Sequence, residues 1–547
     1  MGQNILKGAM ILAIASGLSK IIGMLYRIPI TNIIGDQGNA IYSSAYNIYV
    51  LILTLSAVGI PSAISKLVAE RRAVGAHKEA HKLYKIAMLY TTSVSIILAS
   101  LLWFFSYAIA DYMQNTDLTM PLRVLAPTCI VVTVMAVTRG YLQGMQDMVP
   151  TAVSQVVEQV FNGIFSIVLA YIFIEHGIVA ASTGSTMGTG IGAVAGLIVI
   201  GIFYFRIKPK MAIRKSNPSC FKNETKSDVL KAILNTILPV ILGSSIFAII
   251  TNIDTLMLNM YLPDLVTSLM EEGRYDLINV TDAQNLSSKE IANSLTGQYL
   301  GKYLTLINVP VSIILTLAMA ATPAISNLMA KQHYAAVRNK IRMILKVGML
   351  LAMPATIGLA IFAEPIIQLL YKNSPDGYRL LLYGSISIVF IAVAQLTTGV
   401  LQGMGKQYIT ARNSLIACII KIFFNFIFLH YKEVNIYAVV HSTTICYIIF
   451  SGLNLAYLKR NLELKLNINL IIIRPFICAI IMGALSFGVY KLLYNIIGEV
   501  SLLIAIIFAI IVYFFIGILN GVITAKDLEN IPAGKKLVPF VKRIQAK

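Results

Sequence analysis

The chain has 547 residues, 57% of them hydrophobic and only 12% charged, with a mean hydropathy of +0.77. So little charge excludes a soluble protein of this length and points to a polytopic membrane protein. The 44 Lys+Arg against 24 Asp+Glu leave a net charge of +20, but cytoplasmic loops and contact with anionic lipid account for it, so no nucleic-acid partner is expected.

Apolar stretches of roughly 20 residues or more, enough to cross a bilayer, recur from end to end. They are read as all-α spans over 9–34, 40–69, 82–110, 121–142, 149–174, 178–205, 229–262, 296–330, 343–363, 377–402, 407–430, 434–458, 470–494 and 499–521, about fourteen in all. The first is too long for a signal peptide and lacks a small-residue cleavage site, so it is read as a retained span. An even number of spans puts both termini on one side. Basic residues crowd alternate loops: Lys66, Arg71, Arg72, Lys78, Lys82 and Lys85 after the second span, a group from Arg206 to Lys231 at the centre, and Lys331, Arg338, Lys340, Arg342 and Lys346 at the matching place in the second half. The loops between carry Asp36, Asp111, Asp117 and Glu175. Both termini are therefore expected in the cytoplasm, with the protein in the cell membrane.

The chain also repeats itself. Leu142-Gln143-Gly144-Met145 returns as Leu401-Gln402-Gly403-Met404, and Ala63-Ile64-Ser65 returns as Ala324-Ile325-Ser326, at offsets of 259 (401 − 142) and 261 (324 − 63) residues. Two matches at nearly one spacing predict duplicated halves, a frequent build of transporters. The expected divisions are an N-terminal lobe over 1–205, a basic connector over 206–228, a second lobe over 229–458, two further helices over 459–521 and a basic, membrane-surface tail over 522–547. Cys129, Cys418, Cys446 and Cys478 fall in spans and Cys220 in the connector, with neither disulfide nor metal spacing. No phosphate-binding loop, nucleophile elbow or His/Cys cluster is present, which argues against an enzyme and implies no cofactor.

Ionisable residues at membrane depth are costly and by default mark function. The basic ones are Lys20, Arg27, Arg123, Arg139, Lys302 and Lys421. Lys20 and Arg27, seven residues apart, share a helix face beside Gly23, and that cationic face suits a pyrophosphate. The alternative is that Arg27 snorkels to the outer interface and Lys20 pairs with an acid. Lys302, flanked by Tyr299 and Tyr303, either completes the pocket or anchors the interface. Arg139 reads equally as interface or gate, and Lys421 with Asn425 gives the eleventh span a polar stripe that would line the second lobe.

Two acids stand out against this basic set. Glu158 shares a stripe with Ser154, Gln155 and Asn162, and Asp254 lies within Thr251-Asn252-Ile253-Asp254-Thr255. Either could couple transport to a Na+ or H+ gradient, or form a structural pair with Lys20, Arg139 or Lys421. Gly184, Gly188, Gly192 and Gly196, four residues apart, predict close helix packing.

Ser19-Lys20-Ile21-Ile22-Gly23 with Arg27, the Ile34-Gly35 to Gly38 turn, Pro61-Ser62-Ala63-Ile64-Ser65-Lys66, Arg139-Gly140-Tyr141-Leu142-Gln143-Gly144 and Pro150-Thr151-Ala152-Val153-Ser154-Gln155 with Glu158-Gln159 form a recognisable set. Together they resemble the MurJ-type and stage V sporulation protein B-like flippases of Gram-positive bacteria, in the polysaccharide branch of the multidrug/oligosaccharidyl-lipid/polysaccharide superfamily. The resemblance covers nearly the whole chain. It implies a flippase that turns an anionic undecaprenyl-pyrophosphate-linked cell-wall precursor, lipid II or a related lipid-linked oligosaccharide, from cytoplasm to exterior. It also implies two six-helix lobes around a cationic cavity and two C-terminal helices that form a groove for the lipid tail. Lys20 and Arg27 would take the pyrophosphate, with Lys302 from the eighth span. Membrane lipids and cell-wall synthesis proteins would be the partners of a monomer. One rival is a multidrug and toxin extruder of the same fold, which calls for about twelve spans and an acidic cavity. The other is a non-transporting scaffold for envelope assembly, which has no need of Lys20 and Arg27 buried on one face.

Overall fold

A computed structural model describes residues 2–212 and 224–524, together with Val538 and Val541. The middle of the predicted connector, including Cys220, and most of the predicted basic tail lie outside the described residues. Those that are described form helices and turns without a strand, as the hydropathy pattern requires.

The helices, in chain order, are α1 (Gly2–Leu25), α2 (Arg27–Leu53), α3 (Ile60–Ala73), α4 (His77–Phe104), α5 (Ser106–Tyr112), α6 (Thr119–Gly144), α7 (Val149–Phe173), α8 (Ile178–Ala212), α9 (Lys226–Glu271) and α10 (Ser288–Gly297). They continue with α11 (Leu304–Ala330), α12 (Tyr334–Ile361), α13 (Ala363–Leu370), α14 (Tyr378–Gly384), α15 (Ser387–Gly403), α16 (Gln407–Leu429), α17 (Tyr437–Leu462), α18 (Arg474–Ile497) and α19 (Val500–Leu519). Eleven runs among the described residues are long and apolar enough to cross a membrane, twelve if α14 and α15, bent by 53° at their junction, count as one. The sequence reading of fourteen differs in two places. Its first two spans lie in one run, Ile14–Ala73, and its seventh lies in α9, which is not among the twelve. That run's 60 residues, at about 1.5 Å each, are far longer than a ~30 Å hydrocarbon core. The run is broken at Gly35, whose φ of 66° is left-handed, and by a π-helical turn over Thr54–Val58.

By packing, the described chain forms two compact units, one of Met1–Thr305 with Ile422–Ala438 and one of Leu306–Lys421 with Val439–Lys547. The division does not follow the polar connector, because α9 joins the first unit through a polar ladder. Asn252 donates to the Asn47 carbonyl at 3.0 Å, Asn47 donates to Thr255 Oγ1 at 3.0 Å, and Asn115 bridges Asn259 and Asn293 at 3.1 and 2.9 Å. Asn252, Thr255 and Asn259 are spaced three and four residues apart and so share one face. α9 starts on a reciprocal cap in which Thr225 accepts the Asp228 N–H and the Asp228 carboxylate accepts the Thr225 N–H.

Within the first unit the glycine stripe of α8 does what its spacing predicts. A Cβ on Gly188 would collide with Ser166, and one on Gly192 would lie 2.6 Å from the Glu158 carbonyl, so α8 runs directly against α7. The two sequence repeats pack on each other in the same way in each unit. In the first, Gly140 lies against Pro61 and Gly144 against Ser65 and Val68; in the second, Gly399 lies against Ala318 and Gly403 against Thr322 and Ile325. Gly140 and Gly399 are 259 residues apart (399 − 140), the same offset as Gly144 and Gly403. The duplication read from the sequence is thus a duplicated helix contact. The second unit also packs α12 on α18, where Gly483 admits Ile357 and Ile361, and buries Phe362 against Leu502 and Ala505.

Candidate functional site

The helical path runs through Tyr26, whose N–H reaches the Ile22 carbonyl at 3.2 Å and whose carbonyl accepts from Ile30 at 3.3 Å. Lys20 and Arg27 therefore stay about 20° apart around one axis, as their spacing predicts. Both are half-buried, and neither forms an ion pair among the described residues. Arg27 lies with its guanidinium carbon 5.3 Å from the centre of the Tyr46 ring, and Tyr26 and Tyr42 complete an aromatic surround. Ring faces attract the cation without neutralising it, so its charge stays available to an anion. The Tyr26 and Tyr42 hydroxyls lie 3.5 Å apart, and Asn162 on α7 donates to Tyr26 at 3.3 Å. Beside Lys20, Gly23 admits the Gln159 side chain, and Ser16 donates to Gln155 at 3.1 Å. The polar stripe of α7 therefore forms the floor beneath the cationic face of α1 and α2.

Glu158, on that same stripe, is bound to Arg139 at 2.8 Å, and Arg139 also reaches Ser154 at 2.7 Å, which in turn donates to the Gly196 carbonyl at 2.9 Å. Of the two readings open for Glu158, the structure realises the ion pair with Arg139.

Lys302 is placed differently from the sequence expectation. It is fully buried and its ammonium meets both oxygens of Asp36, at 2.7 and 2.8 Å. The contact requires α10 and its continuation to approach α2 closely, and two glycines permit this. A Cβ on Gly297 would strike the Asp36 carbonyl, and one on Gly301 would strike the Asn39 side chain. Lys302 sits in a π-helical turn, Gln298–Tyr303, whose Tyr299 and Tyr303 rings stack at 5.4 Å. Its charge is matched by Asp36, so Lys302 does not stand as an open pyrophosphate ligand beside Arg27.

Asp254 lies on the face of α9 opposite the asparagine ladder and is buried. It accepts from Tyr299 at 2.7 Å and from Asn425 at 2.9 Å. Lys421, one turn before Asn425 on α16, is fully buried. The structure thus joins Glu158 with Arg139 and Asp254 with Asn425, and it separates Lys302 from the role expected of it. Sequence reasoning missed the aromatic surround, although Tyr42, Tyr46 and Tyr49 are spaced four and three residues apart and mark one helix face. It also missed Asp36 as a partner, because 266 residues separate it from Lys302.

The family described as "Polysaccharide biosynthesis protein" matches residues 5–329, and the MatE family matches 293–427. Stage V sporulation protein B of Bacillus subtilis (strain 168) is 26% identical over 98% of this chain and 99% of its own length. Lipid II flippase MurJ of the same organism is 25% identical over 78% of this chain and 77% of its own. Among solved structures, Lipid II flippase MurJ in an inward closed conformation superposes with a TM-score of 0.64 at 16% identity, covering 93% of this chain and 98% of that one, which shows a shared fold.

Proposed function

The chain belongs to the polysaccharide biosynthesis protein family and is a multi-pass membrane transporter or flippase rather than an enzyme, and from that premise we propose that its cargo is an undecaprenyl-pyrophosphate-linked cell-wall precursor, turned from cytoplasm to exterior by alternating access. One observation carries the reading. Lys20 and Arg27 share a helix face at membrane depth without an ion pair among the described residues, whereas Lys302 and Arg139 each meet a carboxylate. An unneutralised cation in a span is costly unless a cavity or an anion receives it, and a pyrophosphate is the anion that an arginine fork and an ammonium group match. The relatives named for lipid II flipping and spore formation support the cargo class. The same face argues against the cation extruder, for which the match to the MatE family over 293–427 would otherwise speak. Both termini lie in the cytoplasm on this reading, following the basic loops.

Within the site Arg27 grips the pyrophosphate, Lys20 adds a second charge, and Tyr46 holds the guanidinium in place. Arg139 and Glu158 brace α7 beneath them. Asp254, buried and accepting from Tyr299 and Asn425, is the candidate for coupling to a Na+ or H+ gradient, since the proton or ion occupancy of a buried carboxylate changes with ion supply.

The test is depletion of the protein in its native host with mass analysis of the lipid fraction. An undecaprenyl-pyrophosphate-linked intermediate accumulates, Arg27→Ala fails to relieve it although present in the membrane, and efflux of cationic dyes is unchanged. Normal intermediate levels together with lost dye efflux would instead establish the extruder.

A further inference from the structure

In the second unit, the polar first half of α12 and the turn that precedes α18 enclose a groove of about 600 Å³. Its size is that of a small-molecule pocket. Lys340, Arg342 and Lys346 line it, with no carboxylate among its described lining residues, over a floor of Met343, Leu470 and Ile471. Arg342 is fixed in direction, since its Nε donates to the Lys465 carbonyl at 2.7 Å and an Nη donates to Asn339 at 3.0 Å. A guanidinium oriented in advance loses less entropy when it meets an anion. Leu470 and Ile471 open the span Asn469–Ile497 and Met343 belongs to the span Tyr334–Ile361, so the groove lies at the boundary of the apolar layer. Just beside it Ile468, Ile472 and Ile473 are exposed, an apolar strip that continues outward from the floor.

We infer that this groove is a binding site for the headgroup of an anionic membrane phospholipid, with the phosphate against Lys340, Arg342 and Lys346 and an acyl chain along Leu470, Ile471 and the exposed isoleucines. Charge complementarity selects a headgroup with net negative charge. The contiguous apolar strip selects a lipid over free phosphate, which would leave the floor uncovered. Basic pockets between membrane helices near the cytoplasmic surface bind acidic lipid in this manner. On the orientation proposed above, the groove opens to the inner leaflet. The site is distinct from Lys20 and Arg27, which belong to the other unit.

The experiment is titration of the purified full-length protein in detergent with phosphatidylglycerol and, separately, with phosphatidylcholine, read by native mass spectrometry. Phosphatidylglycerol binds, and Lys340→Gln with Arg342→Gln weakens it about 25-fold, on about five-fold for each surface cation removed. The exposed Lys331→Gln changes binding less than two-fold, and Arg342→Lys, which keeps the charge and removes the fork, falls between. Should the double variant not fold, Lys340→Glu alone gives the same loss. Equal binding of the two lipids, unchanged affinity in the double variant, or displacement of the lipid by inorganic phosphate at equal concentration would each overturn the assignment. Because the readout is lipid affinity and not precursor transport, its failure leaves the Arg27 proposal standing.

Discussion

A lysine with no exposed surface needs an acid, and Lys302 meets one in Asp36 across 266 residues of sequence. Removing one partner leaves the other charged and desolvated, so Lys302→Met alone is expected to cost about 3–5 kcal/mol in stability, whereas Lys302→Met with Asp36→Leu regains most of it. Thermal unfolding of the two variants in detergent checks this. If Lys302 bound cargo directly, the double variant would be stable and inactive; the structural pairing predicts that it is stable and transports. The cationic face of α1 and α2 was legible in the sequence because Lys20 and Arg27 are local to one helix and helical period fixes their relation. The fate of Lys302 was not legible, since no local pattern announces a partner brought in from another helix.

At the scale of elements, small residues set the spacing between helices and the chain repeats that device. Gly144 and Gly403 each lie against the copy of Ala-Ile-Ser in their own unit, which is why a four-residue motif in the sequence proved to be an architectural repeat. The π-helical turn Gln298–Tyr303 had no such signature, yet it directs Lys302 to Asp36 and Tyr299 to Asp254. That turn depends on the approach at Gly297, where an added methyl meets the Asp36 backbone. Gly297→Ala is therefore expected to cost about 1–3 kcal/mol by overpacking, read as a lower melting temperature, while Gly17→Ala, where nothing lies near the added atom, is neutral. Hydropathy located the membrane helices well and divided Ile14–Ala73 in two near the break at Gly35, as the length of that run requires, but it registers apolar length and does not mark the π-helical turn at Thr54–Val58.

For the whole molecule, the proposed orientation follows the asymmetry of Lys and Arg, and the proposed coupling to ion gradients follows the buried Asp254. A reporter that fluoresces only in the cytoplasm, fused after Lys547, is expected to be bright; a dark fusion with normal protein level would reverse the topology. Reconstituted Asp254→Asn protein is expected to transport at a rate insensitive to Na+ and pH gradients to which the parent responds, and an unaltered response would remove Asp254 from coupling. The central claim concerns the free charge of Arg27, and translocation of an undecaprenyl-pyrophosphate-linked precursor across proteoliposomes measures it directly. Loss of one charge-assisted contact worth about 1.5–3 kcal/mol predicts that Arg27→Ala lowers the rate about 10- to 100-fold at equal reconstitution. A variant that moves the precursor as fast as the parent would contradict the account.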